Sequence, residues 1–421
     1  MSNLQLFSAN RLRRTGCLAA ILGLVAIFPA CGSGGTPSTP TSNLKNRAFI
    51  SNMFSGSLQI VDTQNDTTAL TPQTTNSAGQ LIPGQPVTIA VAATVTFEVE
   101  SPDHSVTMVY DPSAATLWFV TNSTEMTAGN VSLTSSTGMA LFSSDGNSAY
   151  APEPNLLVAG ATRAGGVQVV SRTSLTITAA YAVPSARYIA LSPNGQFLLV
   201  FADNSDSVFL INLNASTVTP VEIPGFARPI NAFFSSDNNT AYVLNCGPEC
   251  GSSGPASVAS LDIPSQTITA TVPVGGASVG LLNGTTLYVA GSPVPPGTTS
   301  TYDAVNVSNM TRLTSNSVAI GDGFHTTMAL ANNNKLYIGA SSCRNRTTGC
   351  LSVVDVTNNT ADPALPPGGG AITSLLAVKN RNVMYAIEGG LLHIYNTTND
   401  TLQPNQLTFT GALSGIVQVD P

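Results

Sequence analysis

ARYIALSPNGQFLLVFADNSDSVFLINLN, residues 186–214, is the stretch whose reading decides the fold. Two runs rich in Ile, Leu, Val and Phe flank the turn Ser192-Pro193-Asn194-Gly195. Pro presets a turn dihedral, Asn tolerates the left-handed region, and Gly enters it without steric cost. After Asp203-Asn204-Ser205-Asp206 a third run alternates in polarity, as a half-buried strand does. Whether this is a local meander or one copy of a repeated unit settles the architecture.

The stretch recurs. GMALFSSDGNSAYAP begins at Gly138, INAFFSSDNNTAYVLN at Ile230, SVGLLNGTTLYVAG at Ser278, TTMALANNNKLYIGAS at Thr326 and ITSLLAVKNRNVMYAIEGG at Ile372. A degenerate copy, FEVESPDHSVTMVYDPSAATLWFVTN, begins at Phe97. The spacing of about 45 residues is that of a propeller blade. Each copy has an apolar strand, a turn, a second apolar strand, a variable loop, an alternating third strand and a Thr-rich fourth. The polar fourth strand suits the outer edge, and the continuously apolar first two suit burial. One such sheet leaves both faces uncovered, so stacking in a ring is the economical solution.

The two ends of the repeat region complete each other. RAFISNMFSGSLQIVDTQNDTT, from Arg47, reads as the second, third and fourth strands of a blade, and SGIVQVDP at the end reads as a first strand. Pairing them closes the ring and removes two exposed edges. The expected fold is therefore all-β: a β-propeller of four-stranded blades over residues 47–421, with about eight blades. Seven is the alternative if the Phe97 copy or the insertion before it is misread.

ALSPNGQFLLVFADNSDSVFLINL resembles the YVTN-type β-propeller repeat, a Ser-Pro-Asp-Gly turn, an apolar strand, an Asn/Ser loop and Val-x-Val-Ile-Asp. The resemblance covers nearly all of the chain after residue 46. Asn194 replaces the usual Asp, and LLNGTT has lost Ser-Pro altogether. Similar proteins include bacterial surface and periplasmic propellers of unknown role and lactonase-like propellers, so the resemblance speaks to fold more than to function.

Of 421 residues only 9% are charged, 43% are hydrophobic, and the net charge is −7. Ser, Thr, Asn and Gly take the place of Lys and Glu, as in an extracellular β-rich protein. The few basic residues argue against nucleic acid as a partner. Residues 1–30 read as an export signal: Arg11, Arg13 and Arg14 precede CLAAILGLVAIFPA, an apolar run too short for a membrane span. Ala30-Cys31 resembles a bacterial lipoprotein cleavage site, with Cys31 lipidated. Phe28 stands where Leu is usual, and the alternative is ordinary cleavage nearby. Residues 31–46 include the flexible tether GSGGTPSTPTSN. Gly32 and Ser33 carry no acidic retention signal, so in a cell with two membranes an anchor in the outer membrane is expected, with a periplasmic or cell-surface location as the alternative.

Four cysteines remain in the body: Cys246 and Cys250 in NCGPECGSSG, Cys343 and Cys350 in SSCRNRTTGC. Both pairs fall in the loop between second and third strands, two blades apart. A disulfide needs α-carbons within about 7 Å. The intervening blade therefore dictates local pairing, 246 with 250 and 343 with 350, and disfavours a four-thiolate metal site. An exported chain permits the oxidation.

No catalytic constellation emerges, and no cofactor is expected. His104 falls in a turn, His325 at the start of a first strand and His393 within a third strand, all in different blades. Asp203 and Asp206 lack a full calcium loop. Glu98 and Glu100 share one strand face near the turn residue Asp103, and Trp118 suits an inter-blade core. The long loops PEPNLLVAGATRAGG, GPECGSSGPAS, GSPVPPGTTST and SCRNRTTGC share one face, where binding usually resides on a rigid scaffold. The expected function is a monomeric, lipid-anchored, non-enzymatic propeller that binds a protein or glycan. The alternative is a lactonase-like or other hydrolytic propeller with its site at the channel mouth.

Overall fold

A computed structural model describes residues 42–293, 300–343, 350–362 and 370–420. Seven antiparallel meanders follow one another over residues 97–132, 141–182, 186–224, 229–273, 279–312, 324–361 and 372–402. The remaining blade is composite. Leu413–Gln418 supplies its innermost strand, and Arg47–Asn52, Ser57–Asp62 and Thr67–Thr68 follow outward. The pairing Phe49↔Val417 and Ile50↔Ile416 closes the ring as the two termini imply. Counting the composite blade as the first, there are eight, so the segment from Phe97 is a true blade. The insertion before it carries a small hairpin, Thr74–Thr75 with Leu81–Ile82, and returns as Thr88–Ala90 to extend the first blade's outer edge.

Side chains alternate across each strand, so every blade offers one apolar row to each neighbour. Phe49, Leu58 and Ile60 face Val109 and Val120 of the second blade. Ile50 and Val61 turn the other way, toward Tyr385 and Ile387 of the eighth. Among the described residues there are eight apolar clusters, one at each blade-to-blade interface, so the core is itself a ring. Trp118 packs in the cluster between the first and second blades. One expectation needs adjustment. Arg47–Asn52, Ser57–Asp62 and Val383–Glu388 are buried throughout, but the innermost Phe97–Glu100 and Val279–Asn283 are not, because they border the axial channel.

The turns between first and second strands repeat one hydrogen-bond device. Ser192 Oγ donates to Asn194 Oδ1 at 2.7 Å and accepts from the Phe197 N–H at 2.9 Å. Ser101, Ser143 and Ser235 do the same with Asp103, Asp145 and Asp237. Replacing Asp with Asn keeps the acceptor oxygen, which is why position 194 tolerates the change. The fourth turn residue is left-handed: Gly195 at φ 72°, and His104 at φ 56° in the second blade. The blades are also pinned on this turn face. Tyr302 Oη donates to Asn359 at 2.9 Å, Tyr337 Oη to Asp400 at 2.6 Å, and Tyr385 Oη to Asp66, each partner lying in the next blade. Arg381 reinforces the last junction with two bonds to Asp66, at 2.7 and 2.8 Å.

Candidate ligand-binding site at the channel mouth

The innermost strands all run from the long-loop face toward the turn face. At the entrances of five consecutive ones lies a cavity of about 400 Å³. The third blade contributes Met139; the fourth, Tyr188 with Asp203 and Asn204; the fifth, Arg228, Ile230 and Asn231; the sixth, Ser278 and Val279; the seventh, Phe324 and Thr326. The cavity is therefore the mouth of the axial channel on the elaborated face. Its size falls within the roughly 300–1,000 Å³ of small-molecule sites.

A local irregularity places these side chains. The register slips between Ala186 and Tyr188, between Pro229 and Asn231, and on both sides of His325. A β-bulge re-aims the side chain that follows it. The recurrence of this slip at the channel rim turns Tyr188 and Asn231 to the mouth. Tyr188 and Phe324 are each 37% exposed. Arg187 lies over the Tyr188 ring, 5.9 Å from its centre, and 4.0 Å from Asp203. Arg228, held at φ 53°, donates its backbone N–H to Asp206 Oδ1 at 2.9 Å, with its guanidinium 3.6 Å from that carboxylate. Among the described residues, two cations thus stand beside two anions at this rim.

The disulfides stiffen this face. Cys246 and Cys250 have α-carbons 5.6 Å apart, Cys343 and Cys350 5.3 Å, so both bridges are local, as the ring requires. The first closes the short 3₁₀ helix Gly247–Cys250, and Cys250 borders the cavity. Cys246 also donates its N–H to the Arg228 carbonyl at 3.0 Å, and Glu249 accepts from the Ser292 N–H at 2.8 Å, tying the loop to the sixth blade. Residues 294–299 and 344–349 of the long loops, the signal 1–30, Cys31 and most of the tether lie outside the described residues.

The histidines stay apart. His104 sits in its turn, 2.8 Å from Glu100. His325 is buried, and desolvation pushes its imidazole down to about 4. His393 lies 3.3 Å from Glu388. None borders the cavity. Glu98 is partly covered between the first two blades; burial pushes its carboxyl up to about 7 despite hydrogen bonds from Ser51. Glu153 has no exposure, and burial likewise pushes it up to about 7, although the Ser135 N–H and O–H both reach Oε2. Among the described residues no group of three His, Cys, Asp or Glu side chains has a metal-binding arrangement.

Of the described residues weighed from sequence as candidates for chemistry, Asp203 and Cys250 reach the cavity. Tyr188, Asn231 and Phe324 were not foreseen; the signal available was their shared position at the loop-face start of an innermost strand.

Comparison with known proteins extends no further than this fold. The chain resembles dihydro-heme d1 dehydrogenase NirN, solved in complex with DHE, with a TM-score of 0.64 and 13% identity, covering 91% of this chain and 78% of that one. It also resembles Kuenenia stuttgartiensis hydrazine synthase, with a TM-score of 0.53 and 15% identity over 75% of this chain and 96% of that one. A functionally unknown protein from Desulfotomaculum acetoxidans DSM 771 gives a TM-score of 0.51 and 18% identity, covering 75% and 94%. The chain is an eight-bladed β-propeller. No known protein family and no curated protein matches its sequence, so the YVTN resemblance rests on the repeat motif alone.

Proposed function

We propose that this propeller is an exported, lipid-anchored, non-enzymatic protein that captures its ligand at the channel mouth. The observation that carries the reading is the cavity itself: five innermost strands converge on it, and a disulfide-bridged loop walls it. Two disulfides accord with an oxidising, exported environment. Among the described residues no helix is long and apolar enough to cross a membrane. Ser42, the first described residue, donates to Glu125 on the turn face.

Against the hydrolytic alternative, the described residues lining the mouth include one carboxylate, Asp203, already beside Arg187, and no histidine. Purified full-length protein incubated with a panel of lactones, with and without divalent cations, is expected to show no turnover above the uncatalysed rate. Metal-dependent turnover abolished by Asp203→Asn would reverse this reading. In cells, Cys31→Ala is expected to move the protein from the membrane fraction to the soluble one; full retention would remove the anchor.

A further inference from the structure

Resting on the channel-mouth reading, we infer that the ligand is a neutral carbohydrate, bound through one or two sugar rings. The chemistry of the rim selects that class. Tyr188 and Phe324 approach the cavity from the fourth and seventh blades, and each leaves more than a third of its surface open. Flat aromatic faces cover the C–H faces of a pyranose and gain by desolvating them. The same cavity is lined by residues with planar hydrogen-bonding groups: Asp203, Asn204, Asn231 and Arg228. Asn231 Oδ1 accepts the Ala232 N–H at 2.8 Å, which orients the amide and leaves its N–H₂ to donate. Among the described residues the Asn204 side chain makes no hydrogen bond and offers both a donor and an acceptor. Adjacent hydroxyls, each donor and acceptor at once, match such paired planar groups.

Charge points the same way. Among the described residues Arg187 stands by Asp203 and Arg228 by Asp206, so the site presents neither sign in excess to a charged ligand. The site is preorganised: Asp206 and the Cys246 loop hold the Arg228 backbone, and the bulges fix Tyr188 and Asn231. Preorganisation lowers the ordering cost that a small, heavily hydrated ligand could not offset alone.

The test is ligand-observed NMR with the full-length protein, titrated with neutral mono- and disaccharides, uronic acids, hexosamines and short peptides. A neutral sugar is expected to bind. Tyr188→Ala and Asn231→Ala are each expected to weaken it at least tenfold, and Tyr188→Phe, which keeps the ring, less than threefold. Asn239→Ala, on the opposite face, is expected to leave affinity unchanged. Preference for uronic acids or hexosamines would overturn the assignment of neutrality. Peptide binding at the mouth without sugar binding would overturn the carbohydrate class but leave the capture site standing. Binding indifferent to Tyr188 and Asn231, or no binding by any class, would overturn both.

Discussion

Deleting residues 413–421 is expected to abolish cooperative folding, leaving a chain that aggregates and shows no sharp thermal transition by circular dichroism. The deleted strand buries Leu413, Ile416 and Val419 in the first blade. Each such side chain is worth roughly 1.5–3 kcal/mol. The backbone pairing with Arg47–Asn52 is lost as well, which opens the edge of a fully buried strand. Together these approach the ~5–15 kcal/mol net stability of a typical domain. A milder cut tests the same closure. Arg47 binds Asp420 through Nε and Nη2, both at 2.8 Å, and Glu125 through Nη1 at 2.9 Å. One guanidinium near the chain's beginning thereby joins its end to the second blade. Arg47→Ala leaves buried Glu125 without this partner, and breaking a buried pair in this way costs about 3–5 kcal/mol. A loss below about 1 kcal/mol by denaturant titration would contradict the clamp.

Glu153→Gln is expected to flatten the pH dependence of stability between pH 5 and 8. An ordinary glutamate titrates near 4.5; burial pushes Glu153 up to about 7. The folded state therefore prefers the protonated carboxyl. Its contribution is fully present below the unfolded value, declines as pH rises, and is lost once pH passes the folded value. Proton linkage sets the span at about 3 kcal/mol. Glu98 acts in the same direction, more weakly because it is partly exposed. His325 opposes them: its lowered value contributes stability above its unfolded pKa and loses it as pH falls toward about 4. Comparing wild type with Glu153→Gln at each pH isolates the one group. Oε1 has no donor among the described residues, so the new amide adds a constant penalty, and the slope carries the prediction. The difference between the two proteins should shift by about 2.5 kcal/mol in favour of the variant from pH 5 to pH 8, because pH 5 already lies just above the unfolded value. A difference that stays constant would show that Glu153 does not titrate in this range.

The ring was legible because blade chemistry is local. Ser192, Asn194 and Gly195 make their turn with bonds no more than five residues long, and alternation then dictates which neighbour each side chain meets. The disulfides were legible for a related reason: once the blades are counted, distance forbids any other pairing. The mouth was not. Tyr188 and Phe324 are aromatic residues in strands, where packing is their commonest fate, and only a backbone bulge turns Tyr188 outward. A bulge is a change in pairing register and leaves no fixed mark on composition. Arg228 and Asp206 lie 22 residues apart and meet only because a third–fourth strand pair folds back between them. The burial order within a blade was misjudged for a kindred reason: apolarity marks both second and innermost strands, but only the latter meets the channel.

Closure of the ring is tested most directly by amide hydrogen exchange of the native protein, followed by mass spectrometry. Residues 413–418 and 47–52 should exchange together, at the slow rate of strands that open only with the whole domain. Fast exchange at 413–418, with 47–62 still protected, would show that the last strand does not complete the first blade.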